Sequence, residues 1–355
     1  MGAGVLFLGW LFLSSHLFTW PFASKADCRK ATPRLHCMVP TLYNKEDMES
    51  LDSILVTWGQ FCNSIAFYTE PGGSEPLPTD LLHRHGGLAA PIVLLRDLVR
   101  NGHEKQCVED ALIPSPCMHT WEKTWRMLLF ASKTAVDTAD YFLKVDDDTL
   151  VFPAQVRAFI TERGWQRADD AHYFGHELFQ EQGEPRSSYA AGAFYGLSRG
   201  ALKIMGEVLE GMQHYSAELH ESQARDWTVF TCYDRPGGAD DVMVGRCLHS
   251  VGLAVEDVSD AQGASRVALL EGGEWADLPP WYRRGKSLLR LKPGMKQASD
   301  APVAVHAATL AHHVKVRRMV WESLTGPEDL GAEASGIFPR GWVALARRHL
   351  AGQSC

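Results

Sequence analysis

The sequence predicts an α/β fold in which helices cover both faces of a mainly parallel sheet. Apolar, strand-like runs alternate with segments of helical periodicity through the first half of the chain. The chain has 355 residues, of which 45% are hydrophobic and 22% are charged, and this composition suits a globular protein with a large core. In such folds ligands bind beyond the carboxyl ends of the strands. One predicted strand ends there in three consecutive carboxylates.

The elements of the first half follow from these patterns. The helix at 45–59 has Met48, Leu51 and Leu55 at helical spacing, and the helix at 153–162 starts with proline, which is favoured at the first helical position. In order, the predictions are strand 35–41, helix 45–59, strand 64–69, loop 70–80, strand 91–98, helix 119–135, strand 141–145 and helix 153–162.

The second half of the chain is less periodic. Short strands are predicted at 172–177, 188–197 and 303–310, and helices at 199–212 and 240–251. Residues 260–300 are rich in glycine, proline and charge, which predicts a long loop.

The run YFLKVDDDTLVF at 141–152 is the most informative segment. Alternation along an extended chain would place Asp146 and Asp148 on one face. Two carboxylates at the end of a strand suit a hard divalent cation, which prefers oxygen ligands. Such a cation could hold the diphosphate of a nucleotide-sugar. The alternative is a strand that runs into a solvated acidic turn.

Two further positions could belong to the same site. Asp240 and Asp241 stand at the start of a predicted helix, where a carboxylate can cap the helix or act as an oriented general base. His306 lies within an apolar run, either as a core residue or as a metal ligand beside Asp148. Imidazole together with carboxylate favours Mn²⁺ over Mg²⁺.

The N-terminal segment predicts membrane targeting. Residues 2–23 contain no Lys, Arg, Asp or Glu and are long enough to cross a bilayer. A signal anchor and a cleaved signal peptide both fit, and the length favours the anchor. The basic residues after the segment would place the rest of the chain in the cytosol, whereas an even number of cysteines, eight, favours an oxidising lumen. The net charge of −8 argues against a nucleic-acid partner.

The cysteines form no Cys-x-x-Cys motif, so a zinc site is not expected. Buried free thiols and disulfides both remain open. The plausible disulfides are Cys37–Cys62, Cys107–Cys117 and Cys232–Cys247; no pairing is assigned to Cys28 and Cys355.

Five motifs occur in a familiar order: CMV at 37–39 with TWG at 57–59, KVDDDT at 144–149, YAAGAFYGLS at 189–198, DDVMVGRC at 240–247 and VAVH at 303–306. This order resembles the β-1,3-glycosyltransferases related to core 1 galactosyltransferase and Fringe. It looks closest to the branch of glycoprotein-N-acetylgalactosamine 3-β-galactosyltransferases. The resemblance extends from Cys37 to Val314.

The resemblance implies a GT-A fold and a single-pass type II protein of the Golgi or secretory-pathway membrane. Its parts would be an anchor at 1–23, a stem at 24–33, a lumenal catalytic domain at 34–320 and a tail at 321–355. The implied reaction is Mn²⁺-dependent and inverting. Its implied partners are a UDP-sugar donor and a glycoprotein or glycan acceptor, and a homodimer is compatible with it. The implied donor sugar is galactose, and the alternatives are N-acetylglucosamine or glucose, as in transfer of the Fringe type.

The resemblance also implies roles for single residues. Asp241 would be the catalytic base. The metal ligands would be Asp146, Asp148 and His306. The residues on the nucleotide side would be Asp146, Asp147, Trp58 and Lys123. The residues near the acceptor would be Gly192, Trp281 and Tyr282. The disulfides would be Cys37–Cys62 and Cys232–Cys247.

Three departures from the family fall in the acceptor half. Asp240 stands where the family usually has Glu, a paired-Cys segment before the metal histidine is absent, and Ala307 replaces an aromatic residue. Two other classes of protein share parts of this pattern. A phosphotransferase of the aspartyl-phosphate type requires one residue between its second Asp and Thr, whereas Thr149 follows Asp148 directly. A non-catalytic, chaperone-like relative would have lost the Asp triplet or the base.

Overall fold

The computed structural model describes residues 32–70, 75–96, 98, 120–180, 188–214, 232–234, 239–270, 289–291, 299 and 302–307. The predicted anchor, most of the stem and the tail lie outside these residues, as do Trp281, Tyr282, Cys28, Cys107, Cys117 and Cys355. None of the helices in the described ranges is both long and apolar enough to cross a membrane.

The described residues form five α-helices, one 3₁₀ turn and twelve strands. The helices are α1 (Lys45–Val56), α2 (Thr120–Thr134), α3 (Pro153–Glu162), α4 (Arg199–Glu210) and α5 (Asp240–His249), and the 3₁₀ turn is Gly59–Phe61. The strands are β1 (Leu35–Pro40), β2 (Ser64–Thr69), β3 (Leu82–His85), β4 (Leu88–Leu94), β5 (Tyr141–Val145), β6 (Thr149–Val151), β7 (Tyr173–Gln180), β8 (Ser188–Ser198), β9 (Glu256–Asp257), β10 (Val267–Leu270), β11 (Leu289–Leu291) and β12 (Ala304–Ala307).

Within the described residues, nine strands form one sheet in the order β11-β7-β8-β5-β1-β2-β4-β3, with β9 beside β7. Strands β5, β1, β2 and β4 run parallel, as the alternation of strands and helices predicted. The C-terminal half adds β8, β7 and β11 in antiparallel pairing, so the sheet is mixed. A second sheet has the order β10-β12-β6.

The core lies on both faces of the large sheet because successive side chains of a strand point to opposite sides. Cys37 and Leu143 pack with α1 and α3 on one face, whereas Met38 and Phe142 pack with α2, α4 and α5 on the other. All five residues of β5 are buried, which is typical of a strand covered on both faces.

Several boundaries differ from the sequence predictions. The strand predicted at 91–98 is β4, Leu88–Leu94, and it is preceded by the unpredicted edge strand β3. Strands β10 and β11 lie within 260–300, where only a loop was expected. The sequence of β3, LHRH, has no apolar alternation, and β11 has only three residues, so neither gave a periodic signal.

Both disulfides implied by the resemblance are present. Cys37–Cys62 links β1 to the residue after the 3₁₀ turn, across a sequence separation of 25. Cys232–Cys247 links the segment 232–234 to α5, across a separation of 15.

Candidate functional site

A tight turn after β5 carries the three aspartates. The amide of Thr149 donates a hydrogen bond to the carbonyl of Asp146 over 3.0 Å, and β6 starts at once with Thr149. The aspartates therefore lie in a turn and not on an extended strand. The predicted proximity of Asp146 and Asp148 is present, but its cause differs: the turn brings the two carboxylates together, and not a shared strand face.

Asp146, Asp148 and His306 form a group that could bind a metal, and they are called the metal group below. One donor atom from each lies within 4.8 Å of the other two. Strand β12 pairs with β6 so that His306 stands opposite Thr149, and His306 Nε2 lies 3.2 Å from Asp148 Oδ2. The three side chains are 33%, 30% and 25% exposed, which leaves them open to a ligand.

The charges of the metal group suit a cation. Burial raises the pKa of Asp146, and the neighbouring Asp148 carboxylate adds to this while Lys144 opposes it. Burial alone would lower the pKa of His306, but Asp148 outweighs it and the pKa is raised. Two carboxylates and one imidazole are a donor set that divalent ions such as Mn²⁺ accept.

Lys144 lies directly beneath the metal group, with a side chain that is only 2% exposed. Its Nζ lies 2.6 Å from Asp146 Oδ1, 2.6 Å from the Gly192 carbonyl and 3.0 Å from Asp240 Oδ2. Burial would lower the pKa of Lys144, but Asp146 and Asp240 raise it well above its usual value, so the side chain stays cationic. The sequence assigned no role to Lys144, although this residue begins the KVDDDT motif and is a lysine inside an otherwise apolar strand.

Asp240 and Asp241, the acidic pair, begin α5 but have different partners. Asp240 Oδ2 accepts from Thr124 Oγ1 over 3.0 Å and faces Lys144. Asp241 Oδ2 accepts from the amide of Gly192 over 3.1 Å, and its Oδ1 accepts from the amide of Val242 over 2.8 Å. Burial raises the pKa of Asp241 to about 7, with a further contribution from Asp240.

Close packing against β8 fixes the helix that carries the acidic pair. At Gly245 an added Cβ would lie 2.2 Å from Tyr189 Cβ, so only glycine permits this approach of α5 to the strand. The disulfide from Cys247 holds the same helix to the segment 232–234. At Gly192 an added Cβ would lie 3.5 Å from Asp241 Oδ2, which places this predicted acceptor residue beside the predicted base.

Two residues predicted on the nucleotide side lie near the carboxyl end of β1. Thr41 Oγ1 donates to Asp147 Oδ2 over 2.7 Å, and burial raises the pKa of Asp147 to about 7. Lys123 Nζ donates to the carbonyl of Thr41 over 3.2 Å and lies 3.5 Å from Glu70 Oε1. Lys123 is thus engaged by protein groups at the carboxyl ends of β1 and β2.

Trp58 stands apart from this cluster. Its side chain packs in the core with α1 and is 2% exposed, and its place on the nucleotide side stays a prediction. The predicted acceptor residues Trp281 and Tyr282 lie outside the described residues.

No protein-family model matches the chain. Among solved structures, the chain is similar to the crystal structure of a glycosyltransferase involved in the glycosylation of the major capsid of PBCV-1, with 15% sequence identity and a TM-score of 0.34. The likeness covers 81% of this chain and 100% of that chain. At this TM-score the neighbour's activity has no bearing on the chain, so the functional argument depends on the residues of the site itself.

Proposed function

We propose that this protein is an inverting, metal-dependent glycosyltransferase that transfers a sugar from a UDP-sugar to a hydroxyl group of an acceptor glycan. One observation carries the proposal: Lys144 joins the metal group to the acidic pair by direct contacts with Asp146 and Asp240. The three side chains of the metal group and the two of the acidic pair, all named from the sequence, would then serve one site, as a two-substrate reaction requires.

The metal group is the donor side of the proposed site. Asp146, Asp148 and His306 would hold a divalent ion, and the imidazole favours Mn²⁺ over Mg²⁺. When bound, such an ion supplies charge neutralisation for the departing diphosphate. The site lies at the carboxyl end of β5, the position at which α/β sheets bind nucleotides.

Asp241 is the proposed general base. Two backbone amides hold its carboxylate in place, and a pKa of about 7 lets it take a proton from a sugar hydroxyl near neutral pH. The hydroxyl oxygen that loses this proton to Asp241 would attack the anomeric carbon from the side opposite the UDP, while the bond from that carbon to the diphosphate oxygen breaks and UDP leaves, so that the configuration inverts. Asp240 already faces Lys144 and Thr124, which leaves Asp241 as the better base of the pair.

The finer proposals come from the motif resemblance. They are a β-1,3 linkage, galactose as the sugar, and a protein-linked N-acetylgalactosamine as the acceptor, as in core 1 O-glycan synthesis. The two disulfides support an oxidising compartment. With the N-terminal apolar segment they favour a type II protein of the Golgi membrane whose catalytic domain, 34–320, is lumenal.

The test is a panel of UDP-sugars incubated with and without Mn²⁺ against aryl glycosides. We expect transfer with one UDP-sugar, dependent on Mn²⁺, and a product of inverted configuration by proton NMR. The matched control is Asp241→Asn, which should bind UDP with Mn²⁺ as tightly as the wild type but should lose nearly all of its transfer activity. No transfer with any donor, despite tight UDP binding, would point to the non-catalytic relative, and hydrolysis of simple phosphoesters would point to the phosphotransferase class.

A further inference from the structure

We propose that Lys144 is a positioning residue, one that sets the donor half and the acceptor half of the site in a single arrangement. The inference depends on the proposed function, because it assigns Lys144 to the transfer reaction. It is carried by the ion pairs that one buried ammonium group makes with Asp146 of the metal group and with Asp240 of the acidic pair.

All the close polar partners of Lys144 are protein groups. Its ammonium donates hydrogen bonds to the carboxylate of Asp146 and to the carbonyl of Gly192, both over 2.6 Å, and forms an ion pair with Asp240 Oδ2 at 3.0 Å. The side chain is 2% exposed. Because Lys144 is buried among these three partners, it does not touch substrate, and its role is to orient other groups.

The partners of Lys144 come from three separate elements. Asp146 follows β5, Gly192 lies in β8, and Asp240 begins α5. The Lys144 ammonium also lies 5.7 Å from the centre of the Tyr195 ring, within reach of a cation–π interaction. A single buried cation thus fixes the spacing of a strand end, a neighbouring strand and a helix start.

Gly192 transmits the contact to the proposed base. Its carbonyl accepts from Lys144, and its amide donates to Asp241 Oδ2 over 3.1 Å. Lys144 is therefore connected to Asp241 in two ways, through Gly192 and through the adjacent Asp240. Loss of the ammonium would break both connections and would leave the carboxylates of Asp146 and Asp240 without their shared counter-ion.

The test combines direct metal binding with transfer kinetics. We measure the Kd for Mn²⁺ by calorimetry or by electron paramagnetic resonance, and kcat for transfer, in Lys144→Met, Asp240→Ala and the double variant. Lys144→Met should weaken Mn²⁺ binding about 10-fold to 100-fold, the usual effect of removing a group that orients a ligand, and should lower kcat as well. Asp240→Ala should leave the Kd for Mn²⁺ close to the wild-type value and lower kcat about 10-fold or more.

The double variant separates positioning from packing. If Lys144 acts through Asp240, the kcat of the double variant should lie close to that of Lys144→Met, because the second change removes an ion pair already lost and, beyond it, only the contact of Asp240 with Thr124. Multiplied losses in kcat, or an unchanged Kd for Mn²⁺ in folded Lys144→Met, would overturn the inference. The matched control is Lys133→Met, whose half-exposed lysine pairs with Glu210 and should change neither quantity.

Two further outcomes keep the inference apart from the proposed function. If wild-type protein binds no Mn²⁺, the proposed function fails at its metal group. If wild type binds Mn²⁺ and Asp240→Ala keeps the full kcat, the proposed function stands and the role of Lys144 is refuted. The kcat of Asp240→Ala therefore tests the role of Lys144 even when Lys144→Met does not fold.

Discussion

His306 Nε2 lies 3.2 Å from Asp148 Oδ2, although 158 positions of sequence separate the two residues. Strand β12 produces this proximity by pairing with β6, the three-residue strand that follows the aspartate turn. The imidazole is thus added to the carboxylates by a local backbone register, and a shift of one residue would turn it to the other face of the small sheet.

The first prediction concerns metal binding. Asp148→Ala and His306→Ala should each raise the Kd for Mn²⁺ by at least about 100-fold, because each removes a direct ligand and a ligand counts for more than its supporting partners. Calorimetric titration with Mn²⁺ measures this effect. His214→Ala is the control, since His214 is 99% exposed and outside the metal group. Unchanged Mn²⁺ affinity in both variants would show that Asp148 and His306 are not Mn²⁺ ligands.

The second prediction concerns the pH dependence of transfer. Asp241 must be ionised to accept a proton, and its pKa is raised to about 7. Below that pH kcat/KM should fall about tenfold for each pH unit, as the ionised fraction falls. A profile that stays flat from pH 8 to pH 5 would contradict Asp241 as the base. Asp241→Asn should lower kcat about 10²-fold to 10⁴-fold, the usual range for a general base.

The third prediction uses the close approach of α5 to β8. Gly245→Ala would place a methyl group 2.2 Å from Tyr189 Cβ, so the helix must move away from the strand and take the acidic pair with it. We expect kcat to fall and the free energy of unfolding to decrease by about 1–3 kcal/mol, as for other overpacked cores.

Gly211→Ala is the control for that change, because its added Cβ would lie 3.6 Å from the nearest atom, the carbonyl of Glu207, which is an ordinary contact. Kinetic assays and thermal unfolding measure both effects. Equal behaviour of the two variants would show that the spacing of α5 and β8 does not govern the reaction.

The fourth prediction separates the two disulfides. Cys232→Ser with Cys247→Ser opens a link of separation 15 and should lower the free energy of unfolding by about 3 kcal/mol. Because Cys247 lies on the helix that carries the acidic pair, kcat of the folded fraction should fall too. Cys37→Ser with Cys62→Ser is the control and should reduce stability with a smaller change in kcat. A larger fall in kcat on loss of Cys37–Cys62 than on loss of Cys232–Cys247 would show that Cys232–Cys247 does not support the site.

The fifth prediction concerns stability in acid. His36 and His176 are buried, each with Nδ1 on a serine hydroxyl, and burial lowers the pKa of both to about 4. The unfolded chain, with histidine pKa values of about 6.5, binds more protons between those pH values. Stability should therefore be complete above about pH 6.5 and fall as the pH drops toward 4, by at most about 3 kcal/mol for each histidine.

Chemical unfolding of His36→Gln across this pH range tests the point, since glutamine does not titrate and can still bond to Ser64. Its stability should depend less steeply on pH than that of the wild type. An unaltered slope in His36→Gln would mean that this ring is not buried in its neutral form.

The sequence was sufficient for the parallel half of the sheet and for the side chains that meet at its edge. Asp146, Asp148 and His306 stand out because polar residues end or interrupt apolar runs. Their mutual position depends on the pairing of β6 with β12, and a three-residue strand has too little pattern for sequence analysis to detect.

The role of Lys144 could not be predicted from the sequence for a related reason. A single lysine within an apolar strand predicts no partner. Its partners Gly192 and Asp240 belong to elements 48 or more positions away in the sequence, and only the folded structure places them beside Lys144. The edge strand β3 was not predicted because it carries few apolar residues. Strands β7 and β8 were predicted as strands, but their antiparallel direction was not, because the apolar pattern of a strand does not show which way it runs in the sheet.

The register of β12 on β6 also orders events during synthesis. A nascent chain that has emerged only as far as Val303 can already build β5 and the aspartate turn, yet it lacks the imidazole that faces them. The metal group is therefore complete only after β12, one of the last described strands, has paired with β6.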